Sequence, residues 1–92
     1  MAQAMDDAMP SSLRPSDLEA KMAFDPLSGL AELEAHLLAL RDAAQLAGTP
    51  FDRHAVRNEL QAATFRLRDA RTVRLLLGSG GAIAIEVLPL AQ

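Results

Sequence analysis

The chain has 92 residues, half of them hydrophobic, which is enough for one small folded domain and too apolar for a disordered protein. It has no cysteine, which excludes disulfides, thiolate chemistry and cysteine-bound metals, and only three aromatic residues, which excludes a base-stacking platform for single-stranded nucleic acid. The net charge of −3 disfavours nucleic acid as a partner, although arginines concentrate in the second half.

The first segment, residues 1–15, combines prolines, serines and small residues, and we expect it to be a mobile arm. It has acidic residues where a signal peptide would be basic, and no apolar stretch of the sequence is long enough for a membrane span. We therefore expect a soluble, cytoplasmic protein in which residues 16–92 form a single small α+β domain.

The stretch that follows the arm begins with Ser16 and Glu19, spaced three residues apart as in a helix capping box. Leu18 and Met22 are four residues apart and would form one apolar stripe. The pattern predicts a short leading helix over 16–24. A helix this short is not stable alone in water, so we expect it to pack on the domain or on a partner.

Two longer segments have apolar residues at every third or fourth position, as on the buried face of an amphipathic helix. A cap at Ser28 precedes the first pattern and Gly48 follows it. The second helix begins at Thr49 or at Asp52, because both residue types cap helices. The short connection predicts an antiparallel helical hairpin. The repeating positions are Leu30, Leu33, Leu37, Leu40 and Ala44, then Val56, Leu60, Ala63, Leu67 and Ala70.

The last part of the chain alternates with a period of two, which predicts two strands. A three-residue loop over 79–81 would place Val73 opposite Val87 on one face. Arg74 would then lie opposite Glu86 on the other face. A two-residue loop would mix the two faces, so the sequence selects the first register. The predicted fold is α+β, with an antiparallel helical hairpin followed by a C-terminal β-hairpin in the order α-α-β-β.

The glycine-rich sequence at residues 78–81 also raises the alternative of a phosphate-binding loop. Such a loop needs a following helix whose N–H groups face the anion, and normally a lysine. Here a strand follows, and the only lysine of the chain is Lys21. We therefore interpret these residues as the bend of the hairpin.

No group of residues has the spacing of a catalytic or metal site. His36 and His54 are the only histidines, and further ligands at metal-binding spacing are missing around them. Asp52, His54 and Ser79 have the residue types of a hydrolytic triad, but nothing else in the sequence joins them. We expect no enzyme activity, no catalytic residue, no cofactor, no metal and no small-molecule substrate.

The two predicted strands form a ribbon with two exposed edges and a half-apolar outer side, which is typical of strand addition by another chain. The sequence predicts a non-catalytic protein–protein interaction module, a small adaptor, chaperone-like subunit or inhibitor, acting by β-strand addition and helix-face contacts. We expect the partner to be another protein or a second copy, in a homodimer or a larger assembly. The predicted partner-binding residues are Arg74, Leu76, Ala82, Ala84, Glu86 and Leu88.

Arginines near the outer face of the second helix leave an alternative open. A helix pair followed by a hairpin is also the order in a winged helix, in which basic residues contact phosphates. The alternative is a nucleic-acid-binding regulator that uses Arg53, Arg57, Arg68 and Arg71. Two observations argue against this alternative. The hairpin tip carries no basic residue, and a solvent-exposed face of the second helix paired with acidic residues of the first helix would have the same arginine pattern.

Overall fold

The computed structural model describes residues 17–90. In this part of the chain the elements are β1 (Leu18–Asp25), β2 (Gly29–Leu30), α1 (Leu33–Ala47), α2 (Arg53–Thr64), β3 (Arg71–Leu77) and β4 (Ile83–Leu88). The predicted α+β class, with a helix pair followed by a β-hairpin, is confirmed. The predicted arm over 1–15 lies outside the described residues.

Strand β1 stands where a short leading helix was predicted, so that prediction is wrong. Its side chains alternate between two faces, with Met22 and Phe24 buried and Leu18 packed beside them. Leu18 and Met22 fit the spacing of a helix and of a strand equally well. The strand forms because β3 offers a full ladder of backbone hydrogen bonds, which a helix this short cannot match.

The four strands form one antiparallel sheet in the order β2-β1-β3-β4. The predicted hairpin register is confirmed, since Val73 pairs with Val87 and Arg74 with Glu86. The expectation that both hairpin strands are edges is wrong for β3. That strand is central, because β1 pairs with it on the side opposite β4.

The tip of the hairpin turns at Gly81, whose φ of 96° is in the left-handed region that favours glycine. The Gly81 N–H donates to the Gly78 carbonyl at 2.8 Å. A Cβ atom at Gly81 would lie 3.2 Å from the Cβ of Pro50, in the loop between the helices. The tip therefore packs closely against that loop, and both the backbone angle and the space select glycine.

Both helices pack on one face of the sheet, α1 mainly on β1 and α2 mainly on β4. Aliphatic side chains from the helices and from β3 fill the space between the layers, as the low aromatic content requires. The buried core consists of Met22, Phe24, Leu37, Leu40, Ala44, Val56, Leu60, Val73, Leu75 and Leu77. No helix in the described residues is both long and apolar enough to cross a membrane.

The two helices differ in how they begin. α1 starts at Leu33, not just after Ser28 as predicted, because the N–H groups of Leu27 and Ser28 donate to the Asp25 carboxylate in a turn that links β1 to β2. The residue before α1, Glu32, is left-handed at φ 52° and makes no side-chain capping bond. Glu32 is the only residue other than glycine in residues 17–90 that has a positive φ, so its backbone is strained.

α2 begins after Asp52, one of the two predicted caps, whose carboxylate accepts a hydrogen bond from the Ala55 N–H at 3.2 Å. Thr49 lies before the helix and does not cap it. Gly48 is left-handed and ends α1 as predicted. α2 is shorter than its apolar pattern suggested and ends at Thr64, whose buried hydroxyl donates to the Leu60 carbonyl at 2.8 Å. The chain beyond Thr64 is therefore a loop that leads into β3.

Candidate functional site

A groove runs between α1 and the outer edge of β1. Because β2 pairs only with Phe24 and Asp25, the backbone edge of β1 from Leu18 to Met22 has no strand beside it among the described residues. The groove has a volume of about 410 Å³. Its lining consists of Leu18, Glu19, Ala20, Lys21, His36, Ala39, Leu40 and Ala43.

Alanine side chains create this groove. Ala39 and Ala43 lie one helical turn apart on α1, on the side of the helix next to β1, and Ala20 faces them from the strand. Leu40 continues from the groove into the buried core. A larger side chain at the alanine positions would fill the space, so the groove depends on small residues from two elements that are distant in the sequence.

His36 is the ionisable residue that α1 contributes to the groove. Its Nδ1 lies 2.9 Å from the Glu32 carbonyl oxygen, which also accepts the His36 backbone N–H at 3.0 Å. Since a carbonyl oxygen only accepts hydrogen bonds, Nδ1 carries the proton, and in the neutral ring Nε2 is left as an acceptor. The strained residue Glu32 therefore orients a histidine at the rim of the groove.

Glu19 and Lys21 line the groove at the edge of β1, but strand alternation directs their side chains to the outer face of the sheet. There Glu19 Oε2 lies 2.8 Å from Arg74 Nε, and Glu86 Oε1 lies 3.3 Å from Arg74 Nη1. Arg74 is only 18% exposed, and its Nε makes this close charge contact without a directional hydrogen bond. The Glu19 carboxylate is therefore engaged away from α1.

The predicted partner-binding residues lie on or beside this outer face. Arg74 and Glu86 form an ion pair, while Ala82 and Ala84 are exposed and Leu88 is half-buried. Leu76 is only 2% exposed and so offers almost no surface to a partner. Whether these residues bind another chain stays a prediction, as does the homodimer.

The predicted arginine face is divided between different elements. Arg53 and Arg57 both contact the carboxylate of Glu34 on α1, with Arg57 Nη1 2.7 Å from Oε2. Arg68 lies in the loop after α2, and Arg71 begins β3. The pairing of this face with an acidic residue of the first helix is confirmed, and a continuous basic strip on the second helix is not formed.

Of the residues considered for a hydrolytic triad, Asp52 has another role, and Ser79 lies exposed at the hairpin tip. Asp52 caps α2, and His54 lies exposed in the first turn of that helix. Within residues 17–90, no three of the histidine, aspartate and glutamate side chains are grouped as metal ligands. The groove between α1 and β1 combines a cavity with a histidine that a backbone hydrogen bond orients.

Comparison with known proteins gives one structural similarity. A scan against protein-family models and a search of curated proteins both find no match. Among solved structures, the chain is similar to a Mesorhizobium loti protein described as a "Putative amino-acid aminotransferase", with a TM-score of 0.74 and 25% sequence identity. The match covers 79% of this chain and 35% of that one, so the chain corresponds to a minor part of the longer protein.

This similarity corrects the function predicted from the sequence. The same arrangement of helices and strands forms part of a protein described as an enzyme, which contradicts both the non-catalytic adaptor and the nucleic-acid-binding regulator. The expectation of no enzyme activity loses its support for the same reason. Its basis was the missing spacing of a catalytic or metal site, and one part of an enzyme need not carry such a motif by itself.

Proposed function

We propose that this chain forms one domain of an enzyme of the amino-acid aminotransferase type, and that the groove between β1 and α1 faces its active site. The observation that supports the proposal is the match to 35% of the Mesorhizobium loti protein at a TM-score of 0.74. Small-molecule sites in proteins occur preferentially between domains, where two surfaces enclose a substrate that one surface cannot. The active site would then be shared with further polypeptide.

The form of the groove supports this division of the site. It is bounded by α1 on one side and by the β1 edge that has no neighbouring strand in residues 17–90 on the other, and it is open rather than enclosed. Its alanine wall suits a short hydrocarbon chain, and Nε2 of a neutral His36 suits an N–H or O–H donor. These groups can bind and orient a small polar molecule, and water exclusion would need a second wall.

Amino transfer depends on pyridoxal phosphate, which aminotransferases hold through a lysine amine. The described residues do not fit this cofactor by themselves. Lys21, the only lysine, lies beside Arg74 on the face of the sheet opposite α1, and the groove is lined by no arginine. The reacting amine would therefore come from residues outside the described domain, and the contribution of this chain is binding and orientation.

The test uses the protein purified from its native source together with any polypeptide that co-purifies with it. Amino transfer is measured from a panel of amino acids to 2-oxo acids. Ala39→Leu fills the groove, and we expect it to lower kcat/KM by about tenfold or more, since small displacements of a bound substrate have effects of this size. Ala35→Leu places the same side chain on an exposed position of the same helix and serves as the matched control.

Thermal unfolding of both variants establishes that each is folded. Absence of amino transfer for every donor and acceptor pair would contradict the proposed activity. Equal rates for Ala39→Leu and the parent protein would contradict the placement of the groove at the active site, even if the protein were an aminotransferase.

A further inference from the structure

A second cleft, which shares no residue with the groove, lies where α1 ends and α2 begins. Its volume is about 380 Å³. Unlike the groove, it is lined by two cationic side chains, an aromatic ring and a hydroxyl. The lining residues are Arg41, Ala44, Gln45, Thr49, Phe51 and Arg53.

Thr49 provides the first indication of a ligand. The residue is only 8% exposed, and its backbone N–H donates to the Ala44 carbonyl at 2.8 Å. Its hydroxyl, however, has no hydrogen-bond partner within residues 17–90. Arg74 Nε is the only fully buried side-chain nitrogen or oxygen without a partner among the described residues, so the Thr49 hydroxyl keeps some solvent access and is open to a ligand in the cleft.

The arginines provide the second indication. Arg41 lies 3.2 Å from the carboxylate of its neighbour Asp42, and Arg53 contacts Glu34. All four side chains are more than half exposed, and ion pairs this exposed contribute little to stability. An anion in the cleft could therefore recruit both guanidinium groups, whose planar forks match the oxygen atoms of an oxyanion. Glu34 also keeps its second partner, Arg57.

We propose that this cleft binds a small phosphate monoester. One guanidinium fork occupies both oxygens of a carboxylate, whereas a phosphate group has further oxygens for a second fork and for the Thr49 hydroxyl. The ring of Phe51, which is half-buried, lies against the organic part of the ligand. The inference uses different residues from the proposed aminotransferase groove and does not depend on it.

Phenyl phosphate is the probe, titrated into the full chain at constant ionic strength and followed by ¹⁵N NMR. We expect saturable shifts of the Thr49 and Phe51 amides and of the Arg41 and Arg53 side-chain N–H groups. Thr49→Val preserves the shape and removes only the hydroxyl, and we expect it to weaken binding about tenfold, as for a hydrogen bond to a charged group. Arg53→Gln should weaken binding at least as much.

Arg66→Gln is the matched control, because Arg66 is an exposed arginine outside the cleft. It should leave the affinity unchanged. Equal weakening by Arg66→Gln, or shifts that do not saturate, would show non-specific attraction and overturn the site. Tighter binding of benzoate than of phenyl phosphate would overturn the phosphate assignment. If Thr49→Val does not fold, the phenyl phosphate affinities of Arg53→Gln and Arg66→Gln still test the site, and equal affinities would overturn it.

Discussion

The two helices lie side by side on one sheet and differ in how they begin and in how closely they pack against it. α2 begins with a side-chain cap at Asp52 and buries Val56 and Leu60 completely. α1 begins after the strained, uncapped Glu32 and uses alanines to leave a groove against β1. Strain and unfilled space are expensive, and folded proteins keep them mainly at functional sites. Each helix also buries three residues, so the difference lies in how the helices begin and in the groove beside α1.

The largest expected effect is the loss of core packing under α2. Leu60 is fully buried, and we expect Leu60→Ala to lower the free energy of unfolding by about 3 kcal/mol, measured by urea denaturation. Leu46→Ala, at a position 92% exposed on α1, should change it by less than about 0.5 kcal/mol. A loss below about 1 kcal/mol for Leu60→Ala would contradict the tight packing of Leu60 in the core.

A smaller effect is expected at the hairpin tip, where Gly81 touches the loop between the helices. Gly81→Ala introduces a Cβ in a left-handed residue and against Pro50, and we expect a loss of about 2 kcal/mol in unfolding free energy. Gly80→Ala is the control, because nothing lies within 4 Å of its Cβ position. Similar losses for both variants would show that the Pro50 contact does not restrain the tip.

The caps give the most direct test of the comparison. Asp52→Ala removes the bond to the Ala55 N–H and should lower stability by about 1 kcal/mol. Glu32→Gly removes the Cβ atom that strains the left-handed backbone at this position, and it should raise stability by up to about 1 kcal/mol. Chemical denaturation of both variants measures the two changes, and a destabilising Glu32→Gly would show that the start of α1 carries no strain.

The smallest effect is expected for the ion pairs between the helices. Arg57→Gln leaves Arg53 on Glu34, and these exposed pairs are worth little, so we expect a change below about 0.5 kcal/mol. Measurements at low and high salt check the electrostatic origin of any change. A loss above about 1 kcal/mol would mean that Glu34 joins the two helices structurally.

Local chemistry made much of this fold predictable. The opposed residues Arg74 and Glu86 selected the hairpin register, and Thr49 and Asp52 limited the start of α2 to two positions, of which the structure uses Asp52. The strand β1 was missed because Leu18 and Met22 fit two periodicities, and only pairing with β3, far along the chain, decides between them. Propensity within a short window carries no information about such a distant partner.

The candidate site was harder to predict than the fold. Ala39 and Ala43 form a groove because they are small, and alanine in a helix normally signals only close packing. The sequence showed His36 only as one of two histidines without further metal ligands around it. Its orientation depends on the Glu32 carbonyl and on a turn that the sequence did not reveal. A groove that exists because its lining residues are small leaves no recognisable sequence motif.

The pairing of β1 with β3 has a consequence for synthesis. The first strand leaves the ribosome before both helices and must wait for β3, so the central ladder of the sheet closes only when most of the chain has emerged. Contacts so distant in sequence slow folding, and an unpaired β1 is prone to join the strands of neighbouring nascent chains meanwhile. Truncation before Arg71 would leave that strand permanently without its partner, and we expect such fragments to accumulate as insoluble protein.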